Sequence, residues 1–472
     1  MKQIGKKEST AFIFLASLML WGIMTWMISG FIHVQGIGEA AQVSFLFALI
    51  YFLTMLWMGM SKKKTTAGLC FVLLFAAIAM MARVAMLDYN SADYDSFLSG
   101  WMESFRKGGF RMLGENVGDY NLLYQYVLLL ISYFSLPDLY LIKLFTVLFD
   151  FLLALAMMRA ARVFAGERAE LPVFLIMLVL PTTLIEGAFW GQCDSVYAFF
   201  VIMSLCDLKT GHPWRSAAFL AVAFAFKLQT IFVFPVVLLG LIHREYKLRH
   251  ALAFFGMYLV TLVPALVAGR SLLDAISVYA NQSMGQYYHR LTYNAPNLYI
   301  FFPMLEFANT QEYTWMRFIK GINNETQNKY LNMDLFPQLQ HAALYACIIL
   351  VLIAVIYWLI HVRDIRPDMT LQFALFFAIF LPFVMPKIHD RYFYLADVLS
   401  ILYAFRYKDR AYVPVLVICA SFMSYMVFLT RQRPMDERVL ALMMFAALIV
   451  VSRDLLMEMR RNRRKIEVAG VC

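Results

Sequence analysis

Residues 139–168 read LYLIKLFTVLFDFLLALAMMRAARVFAGER, and this stretch decides what kind of molecule the chain is. From Leu139 to Met158 only Lys143 and Asp150 are ionisable. At about 1.5 Å per residue that run is long enough to cross a hydrocarbon core of about 30 Å as a helix. It ends on Arg159, Arg162 and Arg168, a basic cluster of the kind that marks a cytoplasmic exit. The whole chain follows suit. Of its 472 residues 62% are apolar and 15% charged, and the mean hydropathy is +0.67. A soluble domain is nearer half apolar and a quarter charged, so a soluble enzyme, a disordered chain and a secreted disulfide scaffold are all excluded. The formal charge of +10 does not imply nucleic acid, because most Lys and Arg sit between apolar runs as topology signals.

Working outward, spanning-length runs occur near 10–32, 41–60, 67–87, 139–158, 171–189, 191–208, 250–269, 341–362, 370–385, 392–407, 411–430 and 437–453, with a tight hairpin at 214–227 and 228–243. Backbone groups in lipid must bond within their own segment, so all of these are expected to be helices. The run Leu122–Phe134 is too short to cross and reads as a surface or re-entrant helix. With that run non-spanning, the basic clusters fall on one side: Lys2, Lys6 and Lys7; Lys62, Lys63 and Lys64; Arg159, Arg162 and Arg168; Arg244, Lys247 and Arg249; Arg363 and Arg366; Arg406, Lys408 and Arg410; and the tail from Arg460 to Lys465. These are more than half of the 41 basic residues. The expectation is an all-α integral membrane protein of about thirteen to fourteen transmembrane helices, with both termini cytoplasmic. The first run, Thr10–Ile32, is too long for a signal-peptide core and reads as a true span.

Four segments follow: an N-terminal hairpin over 1–66, a central module over 67–269 with its first outer loop at 88–121, a second long outer loop over 270–340, and C-terminal helices with a basic tail over 341–472. Both loops are rich in aromatics and are expected to form surface helices. Cys70, Cys206, Cys347 and Cys419 lie inside apolar runs and no CxxC pair occurs, so the thiols read as core residues.

Ionisable side chains within a span are expensive and mark function by default. Arg83, Lys143, Glu186, Asp194 and Lys227 fall near the outer face in this topology, and Asp93, Asp95, Lys387, His389, Asp390, Arg391, Arg431 and Arg433 lie just beyond it. Each alone could be a helix-end residue, since such positions let Lys and Arg snorkel; the set is harder to explain that way. Asp150 lies on the same helix face as Lys143, about two turns on, and reads as half of an ion pair or as a bond to a neighbouring helix.

The outer segments carry Asp88-Tyr-Asn-Ser-Ala-Asp93-Tyr-Asp95, then Gly118-Asp-Tyr120-Asn, Trp190-Gly-Gln192-Cys-Asp194-Ser, Phe226-Lys227-Leu-Gln, Asn294-Ala-Pro-Asn297-Leu-Tyr, and Pro386-Lys387-Ile-His389-Asp-Arg391-Tyr. Together they resemble the bacterial mannosyltransferase-like branch of the GT-C glycosyltransferases, related to the second mannosyltransferase of glycosylphosphatidylinositol synthesis. The resemblance covers about Phe71 to Tyr403. It departs where the family's Tyr-Pro-Pro is Tyr120-Asn121-Leu122, where Lys-Pro-Gln is Lys227-Leu228-Gln229, and where the Glu of His-Glu-Arg-Tyr is Asp390.

That resemblance implies a GT-C fold. It also implies an enzyme of the cell membrane that takes a monosaccharide from a polyprenyl-phosphate carrier and passes it to a cell-envelope glycan or glycolipid outside the cytoplasm. Asp93 matches the family's general base, with Asp95 as its rival. Cations at the interface suit a lipid-bound phosphate, a part that falls to Lys227, Lys387, His389 and Arg391. Trp190, Gln192, Asp194, Asn294, Asn297 and Tyr120 are the candidates for sugar or acceptor contact, although Trp190 also suits an interfacial belt and the two asparagines also suit helix caps. One base opposite the leaving group implies inversion. No cofactor is expected; a divalent ion among the first-loop acids is the disfavoured alternative. The rival functions are a lipid-linked-sugar flippase or other transporter, a membrane acyl- or phosphotransferase, and a non-catalytic scaffold. Transporters place their charges nearer the midplane, and no internal repeat or nucleophile pairing is visible here.

Overall fold

The computed structural model describes residues 5–61, 65–284, 291–302 and 335–468. Lys2, Lys62 to Lys64, most of the second long loop and the Asn324 sequon lie outside them. The helices are α1 (Lys6–Ile28), α2 (Ile37–Ser61), α3 (Thr66–Val84), α4 (Ser99–Gly108), α5 (Leu122–Ser132), α6 (Asp138–Phe164), α7 (Glu170–Val179), α8 (Pro181–Leu184) and α9 (Asp194–Lys209). They continue as α10 (Pro213–Phe226), α11 (Phe234–Ile242), α12 (Ala251–Val267), α13 (Leu272–Met284), α14 (Leu335–Ile360), α15 (Thr370–Val384), α16 (Tyr394–Arg406), α17 (Tyr412–Thr430) and α18 (Glu437–Val468). Among the described residues the strands are β1 (Thr292–Tyr293) and β2 (Ile388–His389), paired in parallel.

Every apolar run expected to span falls on helix, and the protein is an all-α membrane protein. Nine helices among the described residues are long and apolar enough to cross, and the α7–α8 pair, bent by 45°, makes a tenth. The remaining four runs of the expected thirteen to fourteen are the shorter α9, α10, α11 and α16. Each is cut short by a local break. Gly191, left-handed at φ +83°, delays α9 until Asp194, and Lys227, extended at φ −145°, ends α10. Turns of 3-10 helix precede α11 and α16. The run at Leu122–Phe134 is the short helix α5, as its length requires.

The described chain forms two units. The first comprises residues up to Thr230 together with Lys247–Tyr279. In it α1 packs on α2, α6 on α7 and α9, and α10 on α9 and α12. Ala154, Ala160 and Ala161 of α6 and Ala198 of α9 are fully buried, and such small residues let membrane helices approach closely. Ser204 and Ser216 bond across α9 and α10 at 3.0 Å, polar glue between two apolar rods. Asp150 does not pair with Lys143. Its Oδ2 accepts from Arg83 Nε at 3.0 Å, and Arg83 also donates to Ala79 O and Leu178 O, so one buried guanidinium ties α3, α6 and α7 together. The second unit comprises Ile231–Tyr246 and Ala280–Cys472. There α15 and α16 are buried almost throughout, α16 packs on α17, and α18 lies against α15 and α17.

Candidate active site

The Trp-Gly-Gln-x-Asp-Ser string is placed by a sequence of helix breaks. Pro181 stops α7, because a proline cannot continue the backbone ladder. A π turn over Ile185–Trp190 then ends at Gly191, whose left-handed backbone a side chain would strain. The result turns Trp190 and Gln192 toward the loop that follows α3 and puts Asp194 at the start of α9. Across from them, the segment after α3 carries Ser91 and Asp93 into a π turn, Tyr94–Leu98, and then α4. This helix covers the unit with Met102 and Phe105, as expected of a surface helix in the first loop.

Trp190 Nε1 and Gln192 Nε2 both donate to Asp93 Oδ2, at 2.9 and 2.8 Å. Gln192 Oε1 in turn accepts from Tyr120 OH at 2.7 Å. The Tyr120 ring lies 5.5 Å beneath Lys227 Nζ, and Lys227 pairs with Asp194 Oδ2 at 2.5 Å. Asp93, Trp190, Gln192, Tyr120, Lys227 and Asp194 therefore form one continuous network in the first unit. Its aromatic wall extends through Trp101, seated on Gly118, where a Cβ would lie 2.4 Å from the indole, and through Tyr124. Asp93 is half-buried, whereas Asp95 is exposed and accepts from Asn90 at 2.7 Å. Two rigid donors thus orient the first carboxylate, and the second points into the loop's own turn.

Nearby, Asp88 fastens the α1–α2 turn to this loop. It accepts from Ile32 N–H at 3.0 Å and Tyr140 OH at 2.6 Å, and pairs with His33 Nδ1 at 2.7 Å. Partial burial works to raise its carboxyl, but the hydrogen bonds from Tyr140, His33 and Ile32 outweigh it and leave the group below its ordinary 3.8.

The second unit assembles the other candidates around a two-residue strand pair. Thr292 and Tyr293 pair with Ile388 and His389, Lys387 N–H donates to Leu291 O at 2.8 Å, and Asn294 bridges to His389. Tyr293 stacks on His389 at 4.6 Å and 14°. Arg391 follows in the turn Asp390–Phe393, where Asp390 Oδ1 accepts from the Arg391 N–H at 2.9 Å. Lys387 and Asn294 sit in left-handed backbone, at φ +60° and +55°. Asn297 is fully buried. Its Oδ1 accepts from Tyr299 N–H at 3.1 Å and its Nδ2 donates to Met385 O at 3.2 Å, so its amide holds the loop's frame as a cap. Lys387, His389, Arg391 and Asn294 thus share one locale there. Tyr293 was missed in the sequence, although it immediately precedes the Asn294 string. Among the described residues no three His, Cys, Asp or Glu side chains are grouped to hold a metal ion.

Comparison with curated proteins returns no match. A family model matches residues 120–386, more than half of the chain, with a description that names a family and no sugar. The matched stretch contains Tyr120, Trp190, Gln192, Asp194, Lys227, Asn294 and Asn297, and ends just before Lys387. With its membrane helices and this network of acid, amide and cation, the chain belongs to glycosyltransferase family 87, a membrane glycosyltransferase family of the GT-C class.

Proposed function

We propose that this glycosyltransferase draws its sugar from a polyprenyl-phosphate donor and passes it, with inversion, to an envelope glycan or glycolipid at the extracytoplasmic face, with Asp93 as general base. The observation that carries the reading is the pair of N–H groups, from Trp190 and Gln192, that converge on Asp93 Oδ2. They fix the plane of a carboxylate at the membrane edge, which is what a base needs in order to meet an acceptor hydroxyl in one geometry. The basic clusters between spans support cytoplasmic termini and an outward-facing site.

In this mechanism Asp93 takes the proton of the acceptor hydroxyl as its oxygen attacks the anomeric carbon. The bond from that carbon to the phosphate oxygen breaks, and polyprenyl phosphate leaves with the electron pair. Charge grows on the phosphate as the bond lengthens, so cations facing it stabilise the transition state beyond the ground state. Lys227 contributes less directly, because its ammonium already has Asp194 at 2.5 Å. The neighbouring aromatics Trp101 and Tyr120, both only partly buried, offer faces for a pyranose.

Asp93→Asn keeps the side chain's shape and removes the base. In membranes supplied with a polyprenyl-phosphate sugar, transfer should fall at least about a hundredfold while donor binding persists; Asp95→Asn should stay within about tenfold of the native rate. Native turnover by Asp93→Asn would reject the base. Reconstituted protein that moves intact lipid-linked sugar across vesicles, releasing no polyprenyl phosphate, would favour a flippase instead.

A further inference from the structure

Lys143 is a buried cation that the reaction scheme leaves unused. It is fully buried in the second turn of α6. An ammonium has three N–H donors, and here Nζ donates to three backbone carbonyls: Met86 O at 3.0 Å, Leu87 O at 2.9 Å and Tyr89 O at 2.6 Å. All three belong to the turn that follows α3, two to five residues beyond its last residue, Val84. Its donors are all committed, so Lys143 cannot also hold a donor phosphate without giving up one of these bonds.

What these bonds fix is the segment that leads to Asp93. Tyr89, whose carbonyl Lys143 holds, stacks on Phe189 at 3.6 Å and 14°. Two residues on, Ser91 donates to Trp190 O at 3.0 Å and accepts from Tyr94 N–H at 3.3 Å. Two residues further, Asp93 receives the indole of that same Trp190. The loop is thus pinned to α6 and to the Phe189–Trp190 turn at successive points, and the last of them is the carboxylate.

We propose that Lys143 is a positioning residue for the transfer reaction: with Ser91 it locks the loop after α3 so that Asp93 meets the Trp190 and Gln192 donors. The proposal rests on Asp93 being the base. Replacing Lys143 with Met removes three charge-assisted bonds without changing a residue that touches donor or acceptor.

The test is steady-state kinetics of the full-length protein in detergent or nanodiscs, using a short-chain polyprenyl-phosphate sugar, for Lys143→Met, Asp93→Asn and the double variant. Lys143→Met should lower kcat at least about tenfold, in line with the loss of charge-assisted hydrogen bonds, with donor KM within threefold of native. In the Asp93→Asn background it should cost nothing further, because residues that act as one unit are not additive. A native kcat for Lys143→Met beside an inactive Asp93→Asn overturns the positioning role and leaves the base standing. An active Asp93→Asn overturns both. A loss of donor affinity in place of turnover also overturns it, since it would make Lys143 part of the binding surface. If Lys143→Met does not fold, Ser91→Ala decides: a fall in kcat at native donor KM supports the lock, and native kcat rejects it.

Discussion

The pair Arg83–Asp150 offers a sharp test of how the first unit is held together. Both side chains are buried, at 0% and 1% exposure, with N and O 3.0 Å apart. At that distance and an effective dielectric of about 20, their attraction is about 5 kcal/mol. Desolvation cancels most of it in the native protein, so the pair adds little net stability; its removal by halves is another matter. Asp150→Asn keeps the shape but leaves a buried guanidinium without a counter-ion, and Arg83→Met leaves the carboxylate and also frees Ala79 O and Leu178 O. Each should cost about 3–5 kcal/mol. The double variant removes both charges and should cost less than the two singles together, by up to about 3 kcal/mol. Unfolding by SDS in mixed micelles, followed by near-ultraviolet circular dichroism, gives all four corners of the cycle. Singles within about 1 kcal/mol of native, below the expected penalty, or a strictly additive double, would refute the idea that this ion pair fastens α3, α6 and α7.

Gln192→Leu takes away one of the two donors on Asp93 and the acceptor of Tyr120, so turnover should fall about tenfold; an unchanged kcat would show that the Trp190 bond alone suffices. Lys227→Met takes the ammonium away from the buried Asp194 carboxylate and should lower stability by about 3–5 kcal/mol, read from the same SDS titration. Gly191→Ala forces a side chain into left-handed backbone, costing about 1–2 kcal/mol and lowering the thermal midpoint; no shift means that the turn relaxes. The Asp88 tether has a carboxyl that titrates below its unfolded value. Its stabilisation should be complete at neutral pH and fade only as pH falls through that lowered value. Protection of the Ile32 amide against hydrogen exchange, taken relative to its intrinsic rate at each pH, should therefore fall in acid, and pH-independent protection in Asp88→Asn is the control.

Much of this was legible in the sequence because it is periodic or compositional. Spans such as α6 and α14 are long, largely apolar runs, and their helical state follows from the solvent. The Trp190–Asp194 string fell where two expected spans meet, and a break in the helix is found there. The pairings were not legible. Lys143 and Asp150 share a helix face, so the spacing pointed to each other or to a neighbouring helix; only packing could show that Asp150 looks across to Arg83 while Lys143 binds the turn after α3. Lys227 and Asp194 were both read as ligand contacts, yet they bond each other across 33 residues. Asn297 carried a sugar-or-cap ambiguity that no spacing resolves, and burial decided how its amide is used. The short helices escaped a length rule because their ends are set by single dihedrals at Gly191 and Lys227.

The strand pair in the second unit has a consequence for motion. Thr292 and Ile388 are 96 residues apart in sequence, and closing a loop of that length costs about 4 kcal/mol in chain entropy. A ladder two residues long cannot supply that by itself, so the surrounding helices must hold its ends in register. Its pairing can then part by local opening while the bundle stays intact. Because Tyr293 and His389 ride on opposite rails, each parting would also unstack the ring from the imidazole, so hydrolytic nicks, amide exchange and loss of that stack should rise and fall together.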